Sequence, residues 1–213
     1  MDAGRLGKEA RLSRKERLGY GKARKEVDLS GSGFSLFQTP IGRCGIAWAP
    51  VGLVGLNLPE ADDRAAAMRL RHRFPALAMA DPPEPVVDAI ARIAAFLAGE
   101  PDDFLDLALD FGRTGPWERA VYEMARAIPA GTTITYGTLA GRLGDPARAQ
   151  AVGQALGRNP WPIVVPCHRI TAADGRMGGF SAPGGTTTKL KLLEIEGALR
   201  PESLPLFGAP SRQ

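Results

Sequence analysis

Hydrophobic and polar positions between residues 34 and 111 follow the spacings of a small α+β unit. Three short apolar runs, separated by Pro-Ile-Gly and Pro-Val-Gly turns, predict strands within 34–58. Apolar residues then recur at helical spacing in two stretches, 61–73 and 85–98, and each stretch predicts a helix. An acidic stretch ends in Leu107–Phe111, which predicts one further short strand. The pattern therefore indicates an N-terminal α+β domain over 34–111.

The pattern turns to helices and short connections beyond Gly112–Pro116, which we interpret as a linker. Pro116 suits the first turn of a helix, and apolar residues recur at helical spacing behind it. Thr186–Glu196 predicts the last helix, because Gly197 follows it as a stop signal. We therefore expect a second, mainly helical domain over 114–197.

Two short helices within this second domain have the helix–turn–helix pattern. Tyr136–Leu143 and Ala147–Gly157 predict the helices, and a three-residue turn separates them. In that turn Asp145 suits an N-cap and Pro146 suits the first helical position. Many helix pairs of this kind never contact DNA, so the pattern leaves open both a DNA-binding unit and an ordinary helical hairpin.

Charge is distributed unevenly along the chain, whose net charge is +4. Residues 1–28 carry nine Lys and Arg against five Asp and Glu, and 29–113 carry seven against eleven. Residues 114–197 carry nine against six, an excess that suits an anionic partner bound by this half, although such charges also serve solubility alone. The segments 1–33 and 198–213 are predicted to be flexible tails, the first of them basic.

Composition excludes several classes of protein. The 213 residues are 44% hydrophobic, which suits a folded core, and no apolar run reaches the roughly 18 residues of a membrane span. The N-terminus lacks the apolar region of a secretory precursor. Two cysteines, Cys44 and Cys167, and two histidines, His72 and His168, cannot form a disulfide framework and leave little for a zinc site. We expect an intracellular, cytoplasmic protein without a metal or soluble cofactor.

Cys167 is the candidate nucleophile. Trp161–Val165 predicts an extended run that Pro162 interrupts, and the stiff apolar stretch Ile163–Pro166 directly precedes the cysteine. The cationic neighbours His168 and Arg169 favour its thiolate. Glu196 is a candidate for the carboxylate that orients the histidine. The alternative is an inert buried cysteine, which is the more common state of a lone intracellular cysteine.

A series of short segments resembles the O6-alkylguanine-DNA alkyltransferases, also called methylated-DNA–protein-cysteine methyltransferases. The central segment is Val165-Pro166-Cys167-His168-Arg169-Ile170, and the others fall in the family's order and close to its spacing. The resemblance covers 114–197 strongly and 34–113 loosely. It implies an α+β protein with a small ribonuclease-H-like N-terminal domain and a winged-helix-like C-terminal domain that carries the helix–turn–helix. The other matching segments are Ile128-Pro129-Ala130-Gly131, Thr135-Tyr136-Gly137, Ala151-Val152-Gly153, Arg158-Asn159-Pro160, Gly179-Phe180-Ser181 and Leu192-Leu193-Glu194-Ile195-Glu196-Gly197.

The resemblance implies DNA repair by direct reversal, in which Cys167 accepts the alkyl group from O6 of guanine once and irreversibly. It implies that His168 deprotonates this cysteine through a water and that Glu196 holds the histidine. Asn159 is implied as the hinge that ties the recognition helix to the active-site strand. Arg169 is implied to form a structural ion pair.

The resemblance also implies which residues contact the damaged base. Tyr136 is expected to face the flipped base and its 3′ phosphate. The backbone of Ser181, with the carbonyls of Cys167 and Ile170, is expected to read the guanine edge, and Leu156 to line the alkyl pocket. Without the resemblance, the preferred interpretation of Tyr136 is a core aromatic residue with a satisfied hydroxyl group.

The recognition helix departs from the family at one position. Small residues such as Ala151 and Gly153 permit close approach to the minor groove of double-stranded DNA, from which the lesion is flipped out. The family usually has an arginine before Ala-Val-Gly, and here the residue is Gln150. Arg148 lies about 200° around the helix and cannot substitute. We therefore expect slower or weaker repair of duplex DNA than in an arginine-bearing relative. We also expect a monomer without a membrane partner.

Three alternatives remain open at this point. One is a non-catalytic sensor of the alkyltransferase-like kind, which binds and flips damaged bases but lacks the acceptor cysteine. The presence of Cys167 argues against it, whereas Gln150 keeps it open. The others are a winged-helix transcription factor, which leaves a pairing of His168 with Glu196 unexplained, and a cysteine hydrolase, which would turn over repeatedly.

Overall fold

The structure, a computed structural model, describes residues 30–173, 177 and 179–198. Most of the two predicted tails, residues 1–29 and 199–213, therefore lies outside the described residues. The dipeptide Asp174-Gly175, whose sequence predicts a turn, lies outside them as well.

A three-stranded antiparallel sheet forms the first part of the described chain. Its strands β1 (Gly33–Thr39), β2 (Gly42–Ala49) and β3 (Gly52–Asn57) follow each other in order. A register shift between Ala47 and Trp48 marks an irregularity where β2 pairs with β3. The strands predicted within 34–58 are confirmed.

Two helices pack near the sheet, close to the predicted ranges. Helix α1 (Asp63–Arg73) begins after Asp62, whose side chain caps it, and it buries Leu70 against β1 and β2. Helix α2 (Glu84–Leu97) buries one apolar face. Met68 counts among the apolar positions that predict this helix, but it is exposed and does not join the buried face.

The strand predicted at Leu107–Phe111 is wrong. Only Leu109 forms a bridge, with Leu53 of β3, and a 3₁₀ turn follows at Phe111–Arg113. The Asp110 carboxylate accepts the Gly112 N–H at 2.8 Å, which turns the chain before a ladder can extend.

The rest of the described chain is mainly helical. A short parallel pair joins β4 to β5, and the α4–α5 pair has the predicted turn between its helices. The elements are α3 (Pro116–Arg126), β4 (Ile134–Thr135), α4 (Tyr136–Arg142), α5 (Ala149–Gly157), β5 (Ile170–Thr171) and α6 (Gly185–Ile195).

The helix predicted at Ala147–Gly157 begins later than expected. A 3₁₀ turn at Pro146–Arg148 precedes α5, with the Asp145 carboxylate accepting the Ala147 N–H at 3.0 Å. Asp145 and Pro146 therefore start a tight turn and not the α-helix itself.

One continuous core joins the sheet to the helices on both sides of the predicted linker. Trp161, which precedes the candidate nucleophile, donates its Nε1–H to the carbonyl of Leu53 at 2.8 Å. The Leu56 N–H donates to the Pro160 carbonyl, also at 2.8 Å. The predicted α+β class is confirmed, and β3 anchors the segment that carries the site. No helix in the described ranges is long and apolar enough to cross a membrane.

Candidate active site

The segment before Cys167 is a compact turn. The Val165 N–H donates to the Trp161 carbonyl at 2.7 Å, and Ile163 has a left-handed backbone with φ of 78°. This conformation is unfavourable for a β-branched residue and folds the chain back on itself. The extended run predicted before the cysteine is therefore wrong, and Cys167 opens a 3₁₀ turn that ends at Arg169.

Asn159 joins the end of α5 to this turn. Its Nδ2 donates to the Val165 carbonyl at 2.8 Å and contacts Cys167 Sγ at 3.4 Å. Its Oδ1 accepts the Trp161 N–H at 2.9 Å. One side chain thus holds both ends of the turn and touches the sulfur.

A buried carboxylate connects the two residues after Cys167. His168 Nε2 lies 2.8 Å from Glu196 Oε1, and neither side chain is exposed. Arg169 donates from Nη2 to the same oxygen at 2.7 Å and from Nε to both oxygens at 3.0 Å. Arg169 also donates to the Ile128 carbonyl. This bidentate pairing fixes Glu196 as an acceptor.

The pairing determines which nitrogen of His168 is basic. Burial alone would raise the pKa of Glu196, but the hydrogen bonds from His168 and Arg169 outweigh it and lower the pKa to about 2. An ionised carboxylate only accepts, so the proton of the neutral imidazole is on Nε2. Nδ1 is buried without a hydrogen-bond partner among the described residues. Burial also lowers the pKa of His168, so the imidazole is neutral at pH 7 and can accept a proton at Nδ1.

The resting state of Cys167 is the thiol. Burial raises the pKa of Cys167, whereas hydrogen bonds from Asn159 and backbone N–H groups and the charge of Lys189 act in the opposite direction. The expectation that cationic neighbours stabilise a thiolate is therefore wrong for the free protein, because His168 is neutral and Arg169 is paired with Glu196. The sulfur needs a base at the moment of reaction.

Lys189 belongs to the site, and the sequence reasoning did not include it. It is fully buried on α6, and its Nζ donates to the carbonyls of Ile170 and Met177. Burial lowers the pKa of Lys189 to about 8. The available signal was its spacing, since Lys189 lies three and seven residues before Leu192 and Glu196 on one helix face.

A cavity of about 830 Å³ opens between α4, α5 and the segment before α6; we call it the α5 cavity. It brings together most of the residues expected to contact the base. Ala151 does not line it, and the buried side chain of Ile170 does not either. Its predicted lining residues are Tyr136, Gln150, Gly153, Leu156, Cys167 and Ser181.

Two of these residues are held by neighbours. Ser181 donates its hydroxyl to the Gly157 carbonyl at 2.8 Å, which ties its loop to the end of α5. Tyr136 is half-buried against Gly153, where a Cβ would lie 3.8 Å from the ring, and burial raises the pKa of its hydroxyl group. The carbonyl of Ile170, expected to read the guanine edge, already accepts the Lys189 ammonium at 2.5 Å.

Gln150 is exposed at the start of α5 on the rim of the α5 cavity. Arg148 points elsewhere, with its guanidinium carbon 3.5 Å from the centre of the Trp117 ring. Arg148 therefore does not take the place at the cavity rim that Gln150 occupies.

The remaining cysteine is structural. Cys44 is fully buried in β2, and burial raises the pKa of its thiol to about 11. It packs in the core. His72 is exposed on α1. No group of three or more His, Cys, Asp or Glu suited to a metal ion occurs in the described part of the chain.

Comparisons with known proteins agree on one family. Residues 116–198 match the family described as 6-O-methylguanine DNA methyltransferase, DNA binding domain. A methylated-DNA–protein-cysteine methyltransferase from Methanothermobacter thermautotrophicus is 41% identical, over 74% of this chain and 81% of its own. A DNA base-flipping protein from Thermus thermophilus is 37% identical, over 76% of this chain and 97% of its own.

The solved structures point the same way. The crystal structure of Mycobacterium tuberculosis OGT in complex with DNA covers 78% of this chain and 93% of its own, with 32% identity and a TM-score of 0.62. Together with the buried Cys167–Asn159 contact and the His168–Glu196 pair, these likenesses show that the chain belongs to the O6-alkylguanine-DNA alkyltransferase family.

Proposed function

We propose that this protein repairs DNA by transferring the alkyl group from O6 of guanine to its own Cys167. The thiolate attacks the alkyl carbon, so a sulfur–carbon bond forms and the carbon–O6 bond breaks. The electron pair of that bond stays on guanine, which takes up a proton. The thioether is stable, so each molecule acts once. The observation that carries the proposal is the contact of Cys167 with Asn159 beside a neutral, oriented His168.

The proton of Cys167 is proposed to reach His168 Nδ1 through one water molecule. No direct hydrogen bond joins the sulfur to the imidazole within the described residues, whereas Nδ1 is buried and unpartnered there. A polar site of this kind suits a bridging water. Glu196 then stabilises the imidazolium, because its carboxylate remains ionised.

The partner is DNA, and the α4–α5 pair is proposed as its docking unit in the minor groove. Gly153 and Ala151 leave α5 without bulk on part of its surface, which permits close backbone approach. The α5 cavity, at about 830 Å³, is large enough for an unstacked base beside Tyr136 and Cys167. Ser181 and the alkyl-lining Leu156 complete the contacts proposed for the base. One copy of the chain supplies all of these residues, so we propose that the protein acts as a monomer. Its cytoplasmic localisation remains a prediction.

A second candidate is a sensor that binds and flips alkylated bases without repairing them. The likeness to a DNA base-flipping protein favours it, as does Gln150 in place of an arginine at the cavity rim. The assembled hydrogen bonds at Cys167 favour the enzyme instead.

Intact-mass measurement after incubation with a duplex containing O6-methylguanine decides between the two. We expect a gain of one CH₂ group that maps to Cys167 and stops at one equivalent. Cys44→Ala should retain the gain and Cys167→Ala should lose it. Lesion binding by the wild-type protein without a mass change would contradict the proposal and support the sensor.

A further inference from the structure

A second cavity, of about 530 Å³, reaches Cys167 from the side of α1; we call it the α1 cavity. It shares Leu156, Phe180 and Ser181 with the α5 cavity, so the sulfur lies where the two spaces meet. In the proposed function, a base held in the α5 cavity would present its O6 substituent toward the sulfur. The α1 cavity is the space into which a longer substituent can extend.

The wall of the α1 cavity is cationic. Among the described residues that line it, three are arginines, one is a histidine and none is an aspartate or a glutamate. Two of the arginines are compensated, Arg69 by Glu60 at 3.2 Å and Arg158 by Glu118 at 3.0 Å. The third, Arg73, forms no ion pair with any carboxylate that the structure describes.

Arg73 is held beside the active-site residues. Its Nη2 donates to the Asn159 carbonyl at 3.4 Å, and the side chain of Asn159 contacts Cys167 Sγ at the same distance. Burial lowers the pKa of Arg73, and the like charges of Arg69 and Arg113 act in the same direction. A half-buried cation among like charges is stabilised by any anion placed next to it.

Asn57 supplies a second, independent indication of a polar occupant. It lines the same cavity, is 3% exposed, and its Nδ2 is buried without a partner among the described residues. A buried amide donor without an acceptor is costly, and a ligand oxygen would satisfy it.

We propose that the α1 cavity receives the negatively charged end of an O6 substituent, so that the protein accepts O6-carboxymethylguanine as readily as neutral lesions of similar size. This rests on the proposed function and specifies its substrate class. The step is the same displacement: the sulfur bonds to the CH₂ carbon, the bond to O6 breaks, and guanine and S-carboxymethylcysteine result. A carboxylate on that carbon repels the attacking thiolate, and Arg73 offsets the repulsion.

The test uses two alkylating probes on the full-length chain without DNA. Iodoacetate and iodoacetamide deliver a charged and a neutral group of the same size to Cys167, and the denatured chain supplies the intrinsic ratio of their rates. We expect the folded protein to raise the iodoacetate-to-iodoacetamide ratio above that reference. Arg73→Gln should lower the ratio by roughly five-fold, and Arg71→Gln, which makes the same charge change on the same helix outside the cavity, should not. Equal ratios in the wild-type and Arg73→Gln proteins would overturn the proposal.

DNA substrates separate the two sources of an anion. If the cavity takes the substituent, Arg73→Gln lowers transfer from O6-carboxymethylguanine relative to O6-methylguanine. If Arg73 instead binds a DNA phosphate, both substrates slow by the same factor and the proposal is overturned. If Arg73→Gln does not fold, two measurements still test the proposal. The wild-type iodoacetate-to-iodoacetamide ratio should exceed that of the denatured chain, and Arg73→Lys should retain the wild-type ratio. Absence of methyl transfer in the wild-type protein would instead contradict the proposed function. The iodoacetate-to-iodoacetamide ratios would then still test whether the α1 cavity favours an anionic group.

Discussion

His168 and Glu196 are joined by a 2.8 Å hydrogen bond between Nε2 and Oε1, with both side chains completely buried. They are 28 residues apart in the chain, one in the 3₁₀ turn after the cysteine and the other at the end of α6. Because Arg169 holds the same carboxylate, the group that orients the proposed base also neutralises a buried cation. Loss of this carboxylate should therefore affect both catalysis and folding.

Glu196→Gln should destabilise the protein by about 3–5 kcal/mol at neutral pH, because it leaves Arg169 buried without a counter-ion. The folded-state pKa of Glu196 is about 2 and its ordinary value is 4.5, so its stabilisation is complete above pH 4.5 and disappears as the pH falls toward 2. The difference in urea midpoint between the two proteins should narrow over that range. Glu194→Gln, an exposed change on α6, is the control, and a constant difference would contradict the assignment.

The rate of alkyl transfer should be flat around neutral pH. Burial lowers the pKa of His168 and raises the pKa of Cys167, so the neutral imidazole and the thiol coexist between the two values. Single-turnover rates measured from pH 5 to 9 on an O6-methylguanine duplex should decline only below 6.5, the ordinary pKa of a histidine. A decline centred above pH 6.5 would show a base with a raised pKa and exclude a neutral His168.

Asn159→Asp should slow the reaction of Cys167 with iodoacetamide by at least about 10-fold. The substitution removes the Nδ2 donor 3.4 Å from the sulfur and puts a negative charge there, which raises the pKa of the thiol further. Asn159→Ala loses the same contacts without adding a charge and should slow the reaction less. Peptide mapping distinguishes Cys167 from Cys44. Wild-type rates in both variants would show that the Asn159 contact does not affect the sulfur, and equal but slower rates in the two variants would show that the added charge does not.

Gln150→Arg should accelerate repair of duplex DNA several-fold and leave single-stranded DNA unaffected. The residue is exposed at the rim of the α5 cavity, where a guanidinium plane can stack in the gap left by a flipped base. Arg148→Ala is the matched control, because Arg148 lies over Trp117, and it should leave the ratio of duplex to single-strand rates unchanged. An unchanged duplex rate in Gln150→Arg would show that glutamine already performs this role.

Lys189→Met should raise the pKa of Cys167 and reduce its reactivity toward iodoacetamide at pH 7 by roughly 3- to 10-fold. The buried ammonium lowers the pKa of that thiol and is itself mostly protonated below about pH 8. Lys191→Met removes an exposed charge from the same helix and should change little. Equal reactivity in the two variants would confine Lys189 to holding the Ile170 and Met177 carbonyls.

Local patterns determined the elements and the kind of chemistry. Alternation and helical spacing predicted β1–β3 and the helices to within a few residues, because each element buries one face. The order of short segments around Cys167 identified the family, which relatives at about 40% identity support. Local patterns failed at Leu107–Phe111 and Trp161–Val165, where apolar residues form turns because neighbouring backbone groups and Asp110 capture the hydrogen bonds.

Tertiary structure decided the protonation states and the long-range contacts of the site, which residue spacing in the sequence does not encode. The protonation states depend on burial: Cys167 and His168 are both neutral at rest because the fold removes them from water, whereas sequence neighbours alone indicated a thiolate. Lys189 enters the site only because α6 packs against the turn of Cys167. The α1 cavity exists only because β3 and α1 come next to that turn, which places Arg73 beside Asn159, 86 residues later in the chain. A sequence specifies which groups can react, and the dielectric and the distances that tune them arise when distant segments pack together.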